Sequence, residues 1–248
     1  MDGEMNVIFV TAIFLLPSTA GAFSAKWDHF TFTQEWPQTA CLMGKAEHKK
    51  CNIPNYINSF IIHGLWPSLG TKEGPMYCKA VHFDMNKIKN LTNELQHAWP
   101  NIYSNTRPDD FWKYEWKTHG TCALSLNTTG TEYLFFRKTL DLMKIYNASM
   151  FLSKVNIIPS DTTQYVTKTI ESVLQNKLGV MPTLQCYRSE FQSGKRQTNL
   201  LAEIRICMTK QFKLIKCPDG DSTLYWNRLS QTQRCYGGKI YIPEIKRK

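Results

Sequence analysis

Eight cysteines, Cys41, Cys51, Cys78, Cys122, Cys186, Cys207, Cys217 and Cys235, constrain this chain more than any other feature. An even set suits a framework of four disulfides, and no Cys-x-x-Cys pair is present to seat a structural zinc. At ~2–4 kcal/mol each, four bridges are a large share of a domain's net stability. Disulfides persist in oxidising compartments, and the amino terminus offers a route there. Val7 to Leu16 is apolar but too short to cross a bilayer as a helix, and it is followed by Pro17 and the small residues Ala20, Gly21 and Ala22. Residues 1–22 are therefore expected to be a signal peptide and residues 23–248 one domain. Asp2 and Glu4 stand where a leader usually carries a base, so a first strand or helix of the domain is the competing reading. No later segment is apolar enough for a membrane anchor. Three sequons, at Asn90, Asn127 and Asn147, agree with a secretory route. The expected destinations are the extracellular space or an acidic vesicle such as a lysosome, and a monomer is expected.

The 248 residues are 42% hydrophobic and 20% charged, which fits a folded chain rather than a disordered one. The net charge is +10, and loss of residues 1–22 would remove two acids and no bases. Such a surface favours polyanions: nucleic acid, sulfated glycans or anionic membrane. The bases form small groups, Lys45 to Lys50, Lys195 with Arg196, Lys210 to Lys216 and Lys246 to Lys248, rather than one stripe.

Periodicity predicts helices over 87–99, 131–146 and 164–178, and another from Phe111 to Cys122 capped by Asp109 or Asp110. Ser59 to Ile62, Thr183 to Arg188, Leu200 to Met208 and Phe212 to Cys217 read as strands, with alternation at Ala202, Ile204 and Ile206. Helices interleaved with antiparallel strands make an α+β domain.

Two of six histidines keep unusual company. His63 ends an apolar run and is followed by Gly64, Leu65, Trp66 and Pro67. His119 follows Glu115 by four residues, so on a helix the two share a face. The carboxylate is then expected to orient the ring and raise its pKa. Gly120 and Cys122 close the segment. For either histidine the plainer reading is a packing role. Two imidazoles and an acid suit one reaction well. RNA carries its own nucleophile, the 2′-hydroxyl; one imidazole removes its proton and another protonates the departing 5′-oxygen, while polar groups stabilise the phosphate between them. No metal or cofactor is needed.

His63-Gly64-Leu65-Trp66-Pro67, with Glu115-Trp116 and His119-Gly120-Thr121-Cys122, resembles the paired active-site motifs of the ribonuclease T2 family, and the order and cysteine pattern extend the likeness over roughly residues 26–240. The resemblance implies an endoribonuclease acting on single-stranded RNA, with His119 as general base, His63 as general acid and Glu115 assisting at the phosphate. It implies base stacking on Trp66 and bridges Cys41–Cys51, Cys78–Cys122, Cys186–Cys235 and Cys207–Cys217. The fold implied is a central antiparallel sheet flanked by helices. The chain departs from the pattern at Tyr114 and Thr118, where the family usually has histidine and lysine at the phosphate. With Lys117 beside them, these complete the expected substrate-binding set. A secreted glycoprotein of weak activity that binds RNA, receptors or glycans is the alternative. A metal-dependent phosphoesterase would need clustered ligands, which the sequence does not supply.

Overall fold

The computed structural model describes residues 26–71, 74–190, 197–218 and 232–247. The expected leader, residues 1–22, and Lys195, Arg196 and Lys248 lie outside these residues. In chain order the elements are β1 His29–Glu35, α1 Pro37–Ala46, β2 Ile61–Ser68, α2 Thr92–Ala98, α3 Asp110–Thr118, α4 Glu132–Ile145 and α5 Ala148–Ser153, then β3 Ser160–Val166, α6 Thr167–Leu178, β4 Thr183–Glu190, β5 Gln197–Thr209, β6 Leu214–Ile215, β7 Thr232–Arg234 and β8 Lys239–Ile242. Short 3-10 helices span Met85–Leu91 and Gly120–Cys122.

The sheet runs β2-β1-β5-β4-β7 with every neighbour antiparallel. β8 pairs with β3 and meets β5 in parallel at one position, Leu200 opposite Tyr241. In β1 the period of two sends Phe30 and Phe32 into the main core, and Thr31, Thr33 and Glu35 to the other face. The register places Thr33 opposite Arg205 and Glu35 opposite Glu203, so that second face is polar yet buried. A register shift in the β1–β2 ladder falls between the pairs Thr33–Gly64 and Gln34–Ile62, leaving His63 as the extra residue. Such a bulge re-aims a side chain, as bulges beside active sites do.

The helices pack on the apolar face. α4 is capped by the Thr131 hydroxyl, which accepts from Leu134 N–H at 3.2 Å, and buries Phe135, Phe136, Leu140 and Met143. α6 buries Ile170, Leu174 and Leu178 and stops at Gly179, whose φ of +73° suits glycine. At ~1.5–3 kcal/mol per buried large side chain, this one core is the main source of stability. A smaller cluster of Ala40, Ile53, Ile57, Ile61 and Ile102 lies apart from it, beside α1.

Several boundaries differ from the sequence reading. Residues 87–99 are not one helix: Ile88 and Leu91 are three apart, matching a 3-10 turn, and α2 begins only at Thr92. Residues 164–166 belong to β3, since Tyr165 and Val166 pair with β8. The strand expected at Phe212 to Cys217 shrinks to the two residues of β6. Ala202 leaves the apolar stripe because the β4–β5 ladder shifts beside it, and Leu201 packs in the core with Ile204 and Ile206 instead. The helix from Phe111 ends at Thr118 rather than Cys122. Neither Asp109 nor Asp110 caps it through its side chain; Asp110 accepts from the Arg107 backbone and guanidinium.

The four bridges join Cys41–Cys51, Cys78–Cys122, Cys186–Cys235 and Cys207–Cys217, the pairing implied above. Cys78–Cys122 closes 44 residues and pins the turn that follows His119. Replacing both by alanine is expected to cost about 2–5 kcal/mol in urea unfolding; an unchanged midpoint would show that packing alone holds this turn.

Candidate active site

The edge of the β2-β1-β5 polar face and one side of α3 enclose a cleft of about 610 Å³, lined among others by Glu35, His63, Trp66, Tyr103, Phe111, Tyr114, Glu115, His119, Glu203 and Arg205. α3 turns Trp112 and Trp116 into the core and presents Phe111, Tyr114 and Glu115 to the cleft. A relay of indoles ties the two walls: Trp112 Nε1 donates to the Trp99 carbonyl at 2.6 Å, and Trp99 Nε1 donates to the His63 carbonyl at 3.0 Å. The bulge at His63 is thus held from the core side.

The two histidines reach one cleft. His63 and His119 flank Trp66, at ring-centroid distances of 5.0 and 5.5 Å from the indole. Their surroundings differ. His63 Nδ1 lies 2.7 Å from Glu203 Oε1 and 3.9 Å from Glu35 Oε2. Burial alone would strip its proton, but Glu35, Glu203 and Glu115 outweigh burial and lift its pKa to about 9. His119 is 8% exposed; burial and the positive charge of His63 push its pKa down to about 3.

Glu115 is buried, and its Oε2 accepts from Trp66 Nε1 at 2.9 Å. Burial raises its pKa to about 7 against the opposing effects of His63 and the indole bond. The expectation that Glu115 would raise the pKa of His119 is therefore corrected. The carboxylate turns to Trp66 across the cleft wall, and only the backbone joins Glu115 to His119, through an amide–carbonyl bond of 2.9 Å.

The other expected substrate contacts divide. Tyr114 lines the cleft and is 52% exposed. Lys117 is exposed and Thr118 fully buried, and neither lines the cleft. Trp66 lines it but is 4% exposed, with the Arg205 guanidinium 5.8 Å from its ring centre, so little of its face is open to a base. Three further residues face His63 and were not anticipated: Glu35, Glu203 and Arg205. Their signal was present as charges two residues apart in an otherwise apolar strand, Leu200 to Met208, and as the alternation of Thr31, Thr33 and Glu35.

The family model described as Ribonuclease T2 family matches residues 27–217, most of the chain and all of the cleft residues named above. The chain belongs to the ribonuclease T2 family. It is 42% identical over 193 residues to Ribonuclease Oy of Magallana gigas, covering 77% of this chain and 87% of that one. It is 31% identical over 223 residues to Ribonuclease T2 of Danio rerio, covering 90% and 86%. The crystal structure of RNase NT in complex with 5′-AMP superposes with a TM-score of 0.72 at 25% identity, covering 89% of this chain and 100% of that one. This T2 ribonuclease is an endoribonuclease, with RNA as its substrate.

The glycine after His63 has a local explanation in this T2 ribonuclease. A Cβ on Gly64 would collide with Trp66 Nε1 and Glu115 Oε2, the two atoms of the bond that closes the cleft floor. Gly64→Ala is expected to cost about 1–3 kcal/mol in urea unfolding through overpacking. It should also lower kcat/KM on a dinucleoside phosphate about a hundred-fold through misplacement of the site. A fully active variant would show that the Trp66–Glu115 contact is dispensable.

Proposed function

We propose that this T2 ribonuclease cleaves single-stranded RNA by attack of the 2′-hydroxyl on the adjacent phosphorus, leaving a 2′,3′-cyclic phosphate and a free 5′-hydroxyl. His119 is the general base, His63 the general acid, and Glu115 assists at the phosphate. The observation that carries this reading is two imidazoles flanking one indole in one cleft, with carboxylates against the His63 ring and a buried His119 ring beside it. His119, with its pKa pushed to about 3, is neutral and able to take the 2′-proton; His63, lifted to about 9, holds a proton for the 5′-oxygen.

Glu115 fits its role through burial. Below its pKa of about 7 it is a neutral acid that can donate to a phosphate oxygen; above it, a carboxylate that repels the phosphate. The protonated His63 supplies positive charge at a site where Thr118 supplies none. The exposed ring of Tyr114 offers a face for a nucleobase. Each proton in the reaction has a side-chain donor or acceptor, so no metal ion is required.

Secretion fits the same account. The leader over residues 1–22, four disulfides and sequons at the exposed Asn90 and Asn127 and the half-buried Asn147 support passage through the secretory route. Among the described residues no helix is long and apolar enough to cross a membrane. A base that stays neutral to about pH 3 suits work in an acidic vesicle as well as outside the cell.

Alanine at His63 or at His119 is expected to cut kcat on RNA about a hundred-fold or more, with the fold intact by circular dichroism. Near-full activity in either variant would contradict the assignment. EDTA should not inhibit, a fully deoxy oligonucleotide should not be cut, and mass spectrometry should find cyclic phosphate ends.

The pH profile carries a further sign. Rate should be highest between about pH 4 and 6, where His119 is neutral and Glu115 uncharged, and should decline as pH rises through about 7. Glu115→Gln should lower the maximum but remove that decline, leaving only a later fall where His63 loses its proton, somewhat below the wild-type value of about 9 because the Glu115 charge no longer helps to hold it. An alkaline limb unmoved by Glu115→Gln would show that another group sets it.

A further inference from the structure

We propose that Glu203 is a positioning residue for cleavage: it holds His63 by Nδ1, leaving Nε2 for the departing oxygen, and is itself held in place by Arg205. This rests on the reading of His63 as general acid and adds to it a residue that touches no substrate atom.

The geometry begins with β5. It is the middle strand of the sheet, paired with β1 and β4 along most of its length, so a side chain on it is held stiffly. Glu203 and Arg205 lie two apart and project to the same face. Arg205 donates to Glu203 Oε2 from Nε at 2.9 Å and from a terminal nitrogen at 2.6 Å, a fork onto one oxygen. That leaves Glu203 Oε1 to accept from His63 Nδ1 at 2.7 Å. The ring is braced by Trp66 edge-on and by Phe111 at a centroid distance of 6.0 Å. A carboxylate on one imidazole nitrogen selects the tautomer and steadies the imidazolium, with the carboxylate remaining ionised throughout.

Among the described residues the ionisable groups that face this ring are Glu35 from β1, Glu203 and Arg205 from β5, Glu115 from α3 and His119 just beyond it. Glu203 is distinguished from the other two carboxylates by distance and by charge. Glu35 is 3.9 Å from Nδ1, and Glu115 is bonded to Trp66. Both are pushed up by burial to about 7, so in acid they carry no charge. Burial also works against the Glu203 anion, but Arg205 and His63 outweigh it and hold its pKa at about 2. Glu203 is therefore the anion that stays beside His63 throughout the acidic range. In the cleavage step the Nε2 proton moves to the 5′-oxygen as the P–O5′ bond breaks. The Nδ1 proton stays on the ring, toward Glu203.

The test compares Glu203→Gln with wild type on a dinucleoside phosphate and on uridine 3′-(4-nitrophenyl phosphate), whose leaving group departs without protonation. The expected result is a loss of about a hundred-fold on the dinucleotide and only a few-fold on the aryl ester. The His63 imidazole pKa, followed by NMR, should fall by about one unit or more. Glu203→Asp retains the charge and should show the same pattern in weaker form, which keeps the test available if Glu203→Gln does not fold. Equal losses on both substrates, or a His63 titration that does not move, would overturn the proposal. His63→Ala separates the two levels. If it shows the leaving-group pattern while the Glu203 variants do not, only the role of Glu203 fails. If His63→Ala loses equally on both substrates, the reading of His63 as the acid fails first.

Discussion

The hydrogen bond between His63 and Glu203 joins residues 140 apart in sequence, and the arrangement of the cleft depends on it. Taking an imidazole and three carboxylates out of water is costly unless each charge meets its counterpart. Here the counterparts come from three adjacent strands and one helix: Glu35 on β1, His63 on β2, Glu203 and Arg205 on β5, Glu115 on α3. The antiparallel order β2-β1-β5 is what brings them together. The bulge at His63 falls where its ring reaches Glu203 on β5. Sheet, bulge and ion network therefore form one unit, and the apolar core on the opposite face holds that unit in register.

One environment then produces two different histidines. The His119 ring is buried and the His63 ring half-buried, and burial disfavours the charged form of each. His63 has carboxylates on several sides and keeps its proton. Among the described residues no carboxylate is bonded to the ring of His119, which sits beside a positive neighbour and loses its own proton. The asymmetry that acid–base cleavage needs follows from where the carboxylates point. Trp66 is central because its indole N–H occupies Glu115, the one carboxylate close enough in sequence to have paired with His119. Gly64 is fixed by the same contact, since no side chain fits above that bond.

Much of this was legible in the sequence. The apolar stripes of α4 and α6, the strand from Leu200, the cysteine pairing implied by the family resemblance and the two histidine segments all correspond to what the fold contains. The element ends that differ were decided by partners elsewhere, such as β8 drawing Tyr165 and Val166 into a strand. Helix α1 was not seen because its buried residues, Pro37, Gln38, Thr39, Ala40 and Gly44, are small or polar and carry no apolar period. Glu203 and Arg205 were missed because a charge within a strand ordinarily marks a solvated face, and only the register with β1 shows this face to be buried. The orientation of Glu115 was misread for a related reason. Spacing along a helix identifies the local neighbour, His119, whereas the bond goes to Trp66, 49 residues earlier.

The central claim is that two imidazoles a few ångströms from the same indole differ in charge in the resting protein, His63 cationic and His119 neutral. NMR titration of both rings in the wild-type chain, assigned with single histidine substitutions, tests it directly. The account predicts that His63 titrates near 9 and His119 near 3, on either side of the ordinary value of 6.5. Two midpoints close to 6.5, or the reverse order, would contradict it.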